Sequence, residues 1–109
     1  EWLKKHLKGK KPVILFTHHP FFITDINEKD KYENIPFAKR MEYMQLFKEH
    51  GVTKIFAGHY HNNSLAQYDG IEMITTSAVG KPLGKAKSGF RVVSVYEDSI
   101  SHRYVELPE

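Results

Sequence analysis

The hydrophobic rhythm of this chain changes part-way along. Trp2, Leu3 and Leu7 fall on one side of a lysine-rich opening, which predicts an amphipathic helix ended by Gly9 and Pro12. Val13–Thr17 is apolar almost throughout, as expected of a strand covered on both faces. A polar loop rich in Asp, Glu, Lys and Asn runs from His18 to about Asn34, and loops of that length in compact domains are usually functional or mobile. Pro36 then stands where a first helical position belongs and Gly51 where a helix stops. Between them Phe37, Met41, Met44 and Phe47 share one helical face, a sulfur and aromatic stripe that reads as core packing. Thr53–Ala57 is a second apolar strand, so the first half predicts a right-handed βαβ unit.

Beyond residue 62 the period shortens. Ser64–Tyr68, Ile71–Thr75, Phe90–Tyr96 and Ile100–Val105 read as short strands. Asp69-Gly70 is a strong two-residue hairpin signal, and Glu97-Asp98-Ser99 marks another turn. The stretch from Thr76 to Gly89 carries neither pattern. The fold class expected is therefore α/β: a βαβ unit followed by antiparallel strands.

Composition narrows the function. The 109 residues make one domain at most, with 40% hydrophobic and 27% charged residues. A net charge of +3 suits anionic substrates but is far from a nucleic-acid signature. Lys4, Lys5, Lys8, Lys10 and Lys11 read as the solvated side of the opening helix and its exit turn. No apolar run approaches the roughly 20 residues that span a bilayer, so neither nucleic acid nor membrane is an expected partner. Without cysteine, any metal must be held by nitrogen or oxygen. Nothing in the sequence fixes a compartment.

The chemistry concentrates in Thr17-His18-His19-Pro20 and Gly58-His59-Tyr60-His61-Asn62. Each follows an apolar strand, which brings their rings to the carboxyl edge of a sheet, where open α/β folds keep ligands. Neutral imidazole is the commonest protein ligand for zinc, iron and related ions. Gly58 offers a backbone shape closed to other residues, and room for the chain to pass close to an ion. Pro20 turns the chain sharply after the first histidines. His6, His50 and His102 have no motif around them and read as structural. Asn62 and Asn63 are candidate hydrogen-bond partners of ligating imidazoles, or surface-turn residues. Lys81, Lys85 and Lys87 are candidates for attracting phosphate, or simply solvated.

These two histidine motifs, in this order and spacing, resemble the last two signature blocks of the calcineurin-like metallophosphoesterases. The similarity extends through Tyr68-Asp69-Gly70-Ile71-Glu72-Met73, Thr76-Ser77-Ala78-Val79-Gly80, Leu83-Gly84, the run from Phe90 to Val95 and Ser101-His102-Arg103-Tyr104, nearly the whole chain. It implies that His18 and His59 match ligands of one metal and His61 a ligand of another, with His19 at a variable position. It also implies a β-sandwich flanked by helices and two metal ions (iron, manganese or zinc). The implied activity is hydrolysis of phosphomonoesters, phosphoserine and phosphothreonine among them. The upstream blocks Asp-x-His, Gly-Asp-x-x-Asp and Gly-Asn-His-Glu/Asp are absent. Residues 1–109 are accordingly expected to be the C-terminal part of such a domain, with the acid and the bridging ligand in an N-terminal half and the piece itself inactive, holding one ion or none. That half, or a second copy in a homo-oligomer, is the expected protein partner. Two other readings stay open: a mononuclear three-histidine hydrolase, and a metal-binding or interaction module without catalysis.

Overall fold

A computed structural model describes residues 1–9 and 12–108. Its elements follow in the order α1 (Trp2–Leu7), β1 (Val13–Thr17), α2 (Phe37–Glu49), β2 (Val52–Ala57), β3 (Ser64–Tyr68), β4 (Ile71–Thr75), β5 (Gly89–Val95) and β6 (Ile100–Glu106). Lys10 and Lys11, read above as part of a solvated lysine cluster, lie outside the described residues. No helix among the described residues is long and apolar enough to cross a membrane.

The strands form a four-stranded sheet in the order β1-β2-β4-β3 and a separate β5-β6 hairpin. The fold is thus mixed α/β, as expected, but its second half is not purely antiparallel. β4 pairs parallel with β2 and antiparallel with β3. Asp69 and Gly70 both take positive φ, 51° and 80°, as a tight two-residue hairpin turn requires.

One face of this sheet and the inner side of α2 enclose the core. Ile55, Ala57, Ile71 and Met73 meet Met44 and Phe47 there, together with Phe21, Phe22 and Ile26 from the long loop. Fully burying an aliphatic or Phe side chain of this size is worth about 1.5–3 kcal/mol. The inward stripe of α2 differs from the sequence reading: Arg40, Met44 and Phe47 are buried, while Phe37 at the first turn is exposed. Arg40 is wholly buried because its guanidinium has bonding partners in the loop. Nε donates to the Ile35 carbonyl (3.1 Å), and Nη1 donates to the carbonyls of Ile26 (2.6 Å) and Glu28 (2.9 Å). Asp30 lies 3.7 Å from Nη2 and also accepts the Phe37 N–H at 2.7 Å, capping the helix from outside it. The helix ends where Gly51 takes a φ of 75°, closed to most side chains.

The opposite sheet face carries the hairpin. His102 on β6 stands edge-on to Phe56 at 5.6 Å. Its Nε2 bonds the Glu72 carboxylate at 2.5 Å, and Arg91 donates to its Nδ1 at 3.1 Å. Lys54 completes the chain at 3.5 Å from Glu72. Partial burial pushes the Glu72 carboxyl up, yet His102 and Lys54 outweigh that and hold it below its ordinary range. β1 is an edge of the sheet and Phe16 on it is 69% exposed, so this strand is not enclosed on both faces as its apolar sequence predicts.

Candidate metal centre

Parallel pairing of β1 and β2 aligns Thr17 with Ala57, so the two strands end level. The ladder continues one step further, where Gly58 N–H donates to the His18 carbonyl at 3.1 Å. His18 and His59 therefore leave adjacent strand ends side by side, as the sequence predicts. His18 Nε2 and His59 Nδ1 are 3.1 Å apart. His19 joins them: its ring centroid is 3.8 Å from that of His59, and one donor atom from each of the three imidazoles lies within a 4.8 Å span.

Gly58 does not take the backbone shape its sequence position suggests. A Cβ there would meet nothing within 4 Å, and its φ is ordinary. The left-handed backbone falls on the histidines themselves, at φ 63° for His59 and 58° for His61. Non-glycine residues in that region cost free energy, and such strain gathers at functional sites. It turns the rings of this motif out of the strand direction.

The hydrogen bonds fix which nitrogen each ring offers. A carbonyl only accepts, so the 3.2 Å contact of His59 Nε2 with the Tyr32 carbonyl places the proton on Nε2 and leaves the Nδ1 lone pair as an acceptor, here of the His18 Nε2–H at 3.1 Å; a metal bound between the two nitrogens would take the place of that proton. That lone pair is the one facing His18. His61 is the mirror case: Nδ1–H donates to the Lys81 carbonyl at 2.7 Å, leaving Nε2 free. Tying off one imidazole nitrogen to orient the other is the usual support of a metal ligand. For His19, partial burial and then the neighbouring His59 and His18 rings push its pKa down, favouring the neutral, ligating form.

The donor set fits a divalent transition metal. Bonds of about 2.0–2.1 Å from imidazole to zinc would make a 3.1 Å nitrogen pair subtend roughly 100° at a shared ion, between octahedral and tetrahedral values. His61 stands outside the three-ring group. Asn62 Oδ1 accepts the Asn63 N–H at 3.0 Å, and its amide packs against Gly84, 2.6 Å from where a Cβ there would fall. Lys81 meets the motif through its carbonyl, and Lys85 is exposed. The second loop is further held by Leu83 N–H and Ser77 Oγ, which donate to the His61 carbonyl at 2.6 and 3.1 Å. Sequence reasoning missed Tyr32, whose ring also lies 4.7 Å from that of His59, because nothing in a polar loop signals which carbonyl returns to a distant motif. It assigned His19 to the surroundings of the site; the doubled histidine was the available signal.

No family model matches the chain. Curated relatives do. It is 39% identical over 113 residues to the serine/threonine-protein phosphatase CPPED1 of Danio rerio, covering 99% of this chain and 37% of that protein. The Rattus norvegicus protein of the same name is 41% identical over 96 residues, 88% of this chain and 31% of the relative. The Homo sapiens one is 36% identical over 115 residues, 100% and 37%. The chain is related to the calcineurin-like phosphoesterases. It spans about a third of the length of the CPPED1 proteins it matches, with the similarity running from one end of this chain to the other. The resemblance carried by the two histidine motifs thus extends to proteins named phosphatases.

Proposed function

We propose that these 109 residues form the C-terminal part of a binuclear metal-dependent phosphoesterase domain that hydrolyses phosphomonoesters, phosphoserine and phosphothreonine among them. The observation that carries this reading is the facing pair of His18 Nε2 and His59 Nδ1 at 3.1 Å, set at level strand ends. A divalent ion held there supplies Lewis acidity toward a phosphate ester. His18 and His59 hold that ion, and His61, its Nδ1 tied to Lys81, offers Nε2 to a second one whose remaining ligands come from outside these residues. The general acid also lies outside them. Exposed Lys81 and Lys85, on the loop latched to His61, add positive charge for an anionic substrate.

A mononuclear hydrolase is the second reading, favoured by His19 standing with His18 and His59 within the 4.8 Å span. Calorimetric titration of the metal-free chain with Zn²⁺ or Mn²⁺, with 15N spectra of the imidazoles, tests both. The binuclear reading expects one ion or none held tightly, weakened or lost in His18→Ala, and no turnover of an aryl phosphate, because catalytic groups that act as a unit fail together. Turnover abolished by His59→Ala establishes the mononuclear reading instead. Imidazole signals of His18 and His59 that stay unmoved even under a large excess of Zn²⁺ and of Mn²⁺, so that weak binding is absent too, overturn both.

A further inference from the structure

We propose that Asn34 is a positioning residue for this centre: it holds the 31–34 turn so that the Tyr32 carbonyl takes the Nε2 proton of His59 and leaves Nδ1 facing His18. This inference rests on the metal-binding reading of His18 and His59. The links are continuous. Asn34 is only 4% exposed, although Lys29, Asp30, Lys31 and Tyr32 just before it are all exposed. Its Oδ1 accepts the Lys31 N–H at 3.0 Å, and its own N–H donates to the Lys31 carbonyl at 3.2 Å, closing the turn that carries Tyr32. Its amide donates to the Lys29 carbonyl at 3.0 Å and to Glu28 Oε2 at 2.7 Å. Glu28 is fixed in turn by the N–H groups of Ile23, Thr24 and Asp25, and its carbonyl by the buried Arg40. From a helix inside the core to the tip of the loop, every step is a hydrogen bond. The last one reaches an imidazole at 3.2 Å.

Such an arrangement does something packing alone does not. A neutral imidazole in water populates both ring tautomers, with a modest preference for Nε2–H, and a fixed partner on one nitrogen selects between them. Here one carbonyl decides, and the atom it decides is the one 3.1 Å from His18. Asn34 touches no ligand. It acts only by fixing where residue 32 stands.

The test uses the whole chain, 15N-labelled, near pH 8, where imidazoles are mostly neutral. Long-range 1H–15N spectra report which nitrogen of each ring is protonated. Wild type is expected to show His59 protonated on Nε2. Asn34→Ala is expected to give a mixture of both forms at His59. His50, whose Nδ1 bonds the Leu46 carbonyl at 2.8 Å, should keep its single form as the internal measure of folding. Zn²⁺ affinity should fall about 10- to 100-fold, the usual effect of losing an outer partner of a ligand. Asn34→Ser, which keeps a short polar group, serves if the alanine variant does not fold. Wild-type His59 protonated on Nδ1, or a folded variant with the His59 form and zinc affinity unchanged, overturns the proposal. A variant that shifts the His59 proton in a chain that binds no zinc overturns the metal reading and leaves the Asn34 link standing.

Discussion

Glu28→Gln is the sharpest probe of how the long loop is built. The Glu28 carboxylate accepts from four N–H groups: Oε2 takes the Ile23 N–H (2.9 Å) and the Asn34 amide (2.7 Å), and Oε1 takes the N–H of Thr24 (2.9 Å) and of Asp25 (3.1 Å), with the Thr24 hydroxyl also 3.4 Å from Oε1. Glutamine keeps one oxygen, so whichever way its amide turns, two N–H donors meet an N–H₂ group. Partial burial pushes the Glu28 carboxyl up, but the hydrogen bonds from Asn34, Thr24, Ile23 and Asp25 outweigh it and bring the pKa from 4.5 down to about 2. Taken at full strength, that difference corresponds to about 3.4 kcal/mol. The group is only partly buried, and screening by the solvent it still meets reduces the figure to about 1–2 kcal/mol. The folded value is the lower one, so this stability is fully present above about pH 4.5 and is lost as the pH falls through about 2. Urea unfolding of both proteins from about pH 7 down to about pH 2.5 should show a gap of about 1–2 kcal/mol that narrows across the acid range. Equal stability at neutral pH, or a gap that stays constant on acidification, would refute the reasoning.

Two further outcomes follow from features of the same structure. Arg40→Met strips the bonds to the Ile26, Glu28 and Ile35 carbonyls from a wholly buried position and should cost about 2–4 kcal/mol in urea unfolding, with a loss under about 1 kcal/mol counting against a central role for Arg40. Self-association of the chain is expected from its terminal strand β1 with Phe16 69% exposed, beside a hairpin with Val95 67% and Phe90 44% exposed; a purely monomeric sedimentation profile at micromolar concentration would contradict it.

Most of the fold was legible in the sequence because it is written in local rhythm. The strands at Val13–Thr17, Ser64–Tyr68 and Ile71–Thr75 stand where their apolar runs put them, and Asp69-Gly70 makes its turn. The pairing of His18 with His59 was legible too, since two parallel neighbours must end at the same edge. What was not legible depends on partners far along the chain. Arg40 carries no sequence signal of burial and becomes core only because three loop carbonyls wrap it. Glu28 and Asn34 look like ordinary loop polarity until their bonds to one another are seen. The parallel setting of β4 against β2 is likewise a long-range choice that alternation cannot report. Left-handed backbone at His59 and His61 had only a weak sequence signal: histidine enters that region more often than most side chains, but far less readily than glycine.

The β5-β6 hairpin shares no backbone ladder with the larger sheet, and two strands alone are marginally stable in water. What fastens it there includes a chain of side chains that converges on one carboxylate: Arg91 donates to His102, His102 donates to Glu72, and Lys54 pairs with Glu72 from the other side. A fastening of that kind releases as a unit, because each bond orients the next. The molecule should therefore breathe at this seam before it unfolds. Amide protons of Val92 and Val93 would exchange with solvent through a low-energy local opening, while those of Ile55 and Met73 wait for the whole core to come apart. Such an opening transiently uncovers Phe56 and the face of β4 beneath it without disturbing the strand ends that carry His18 and His59. Stability in this protein is thus divided along the boundary between its two sheets, with the histidines on the slower side.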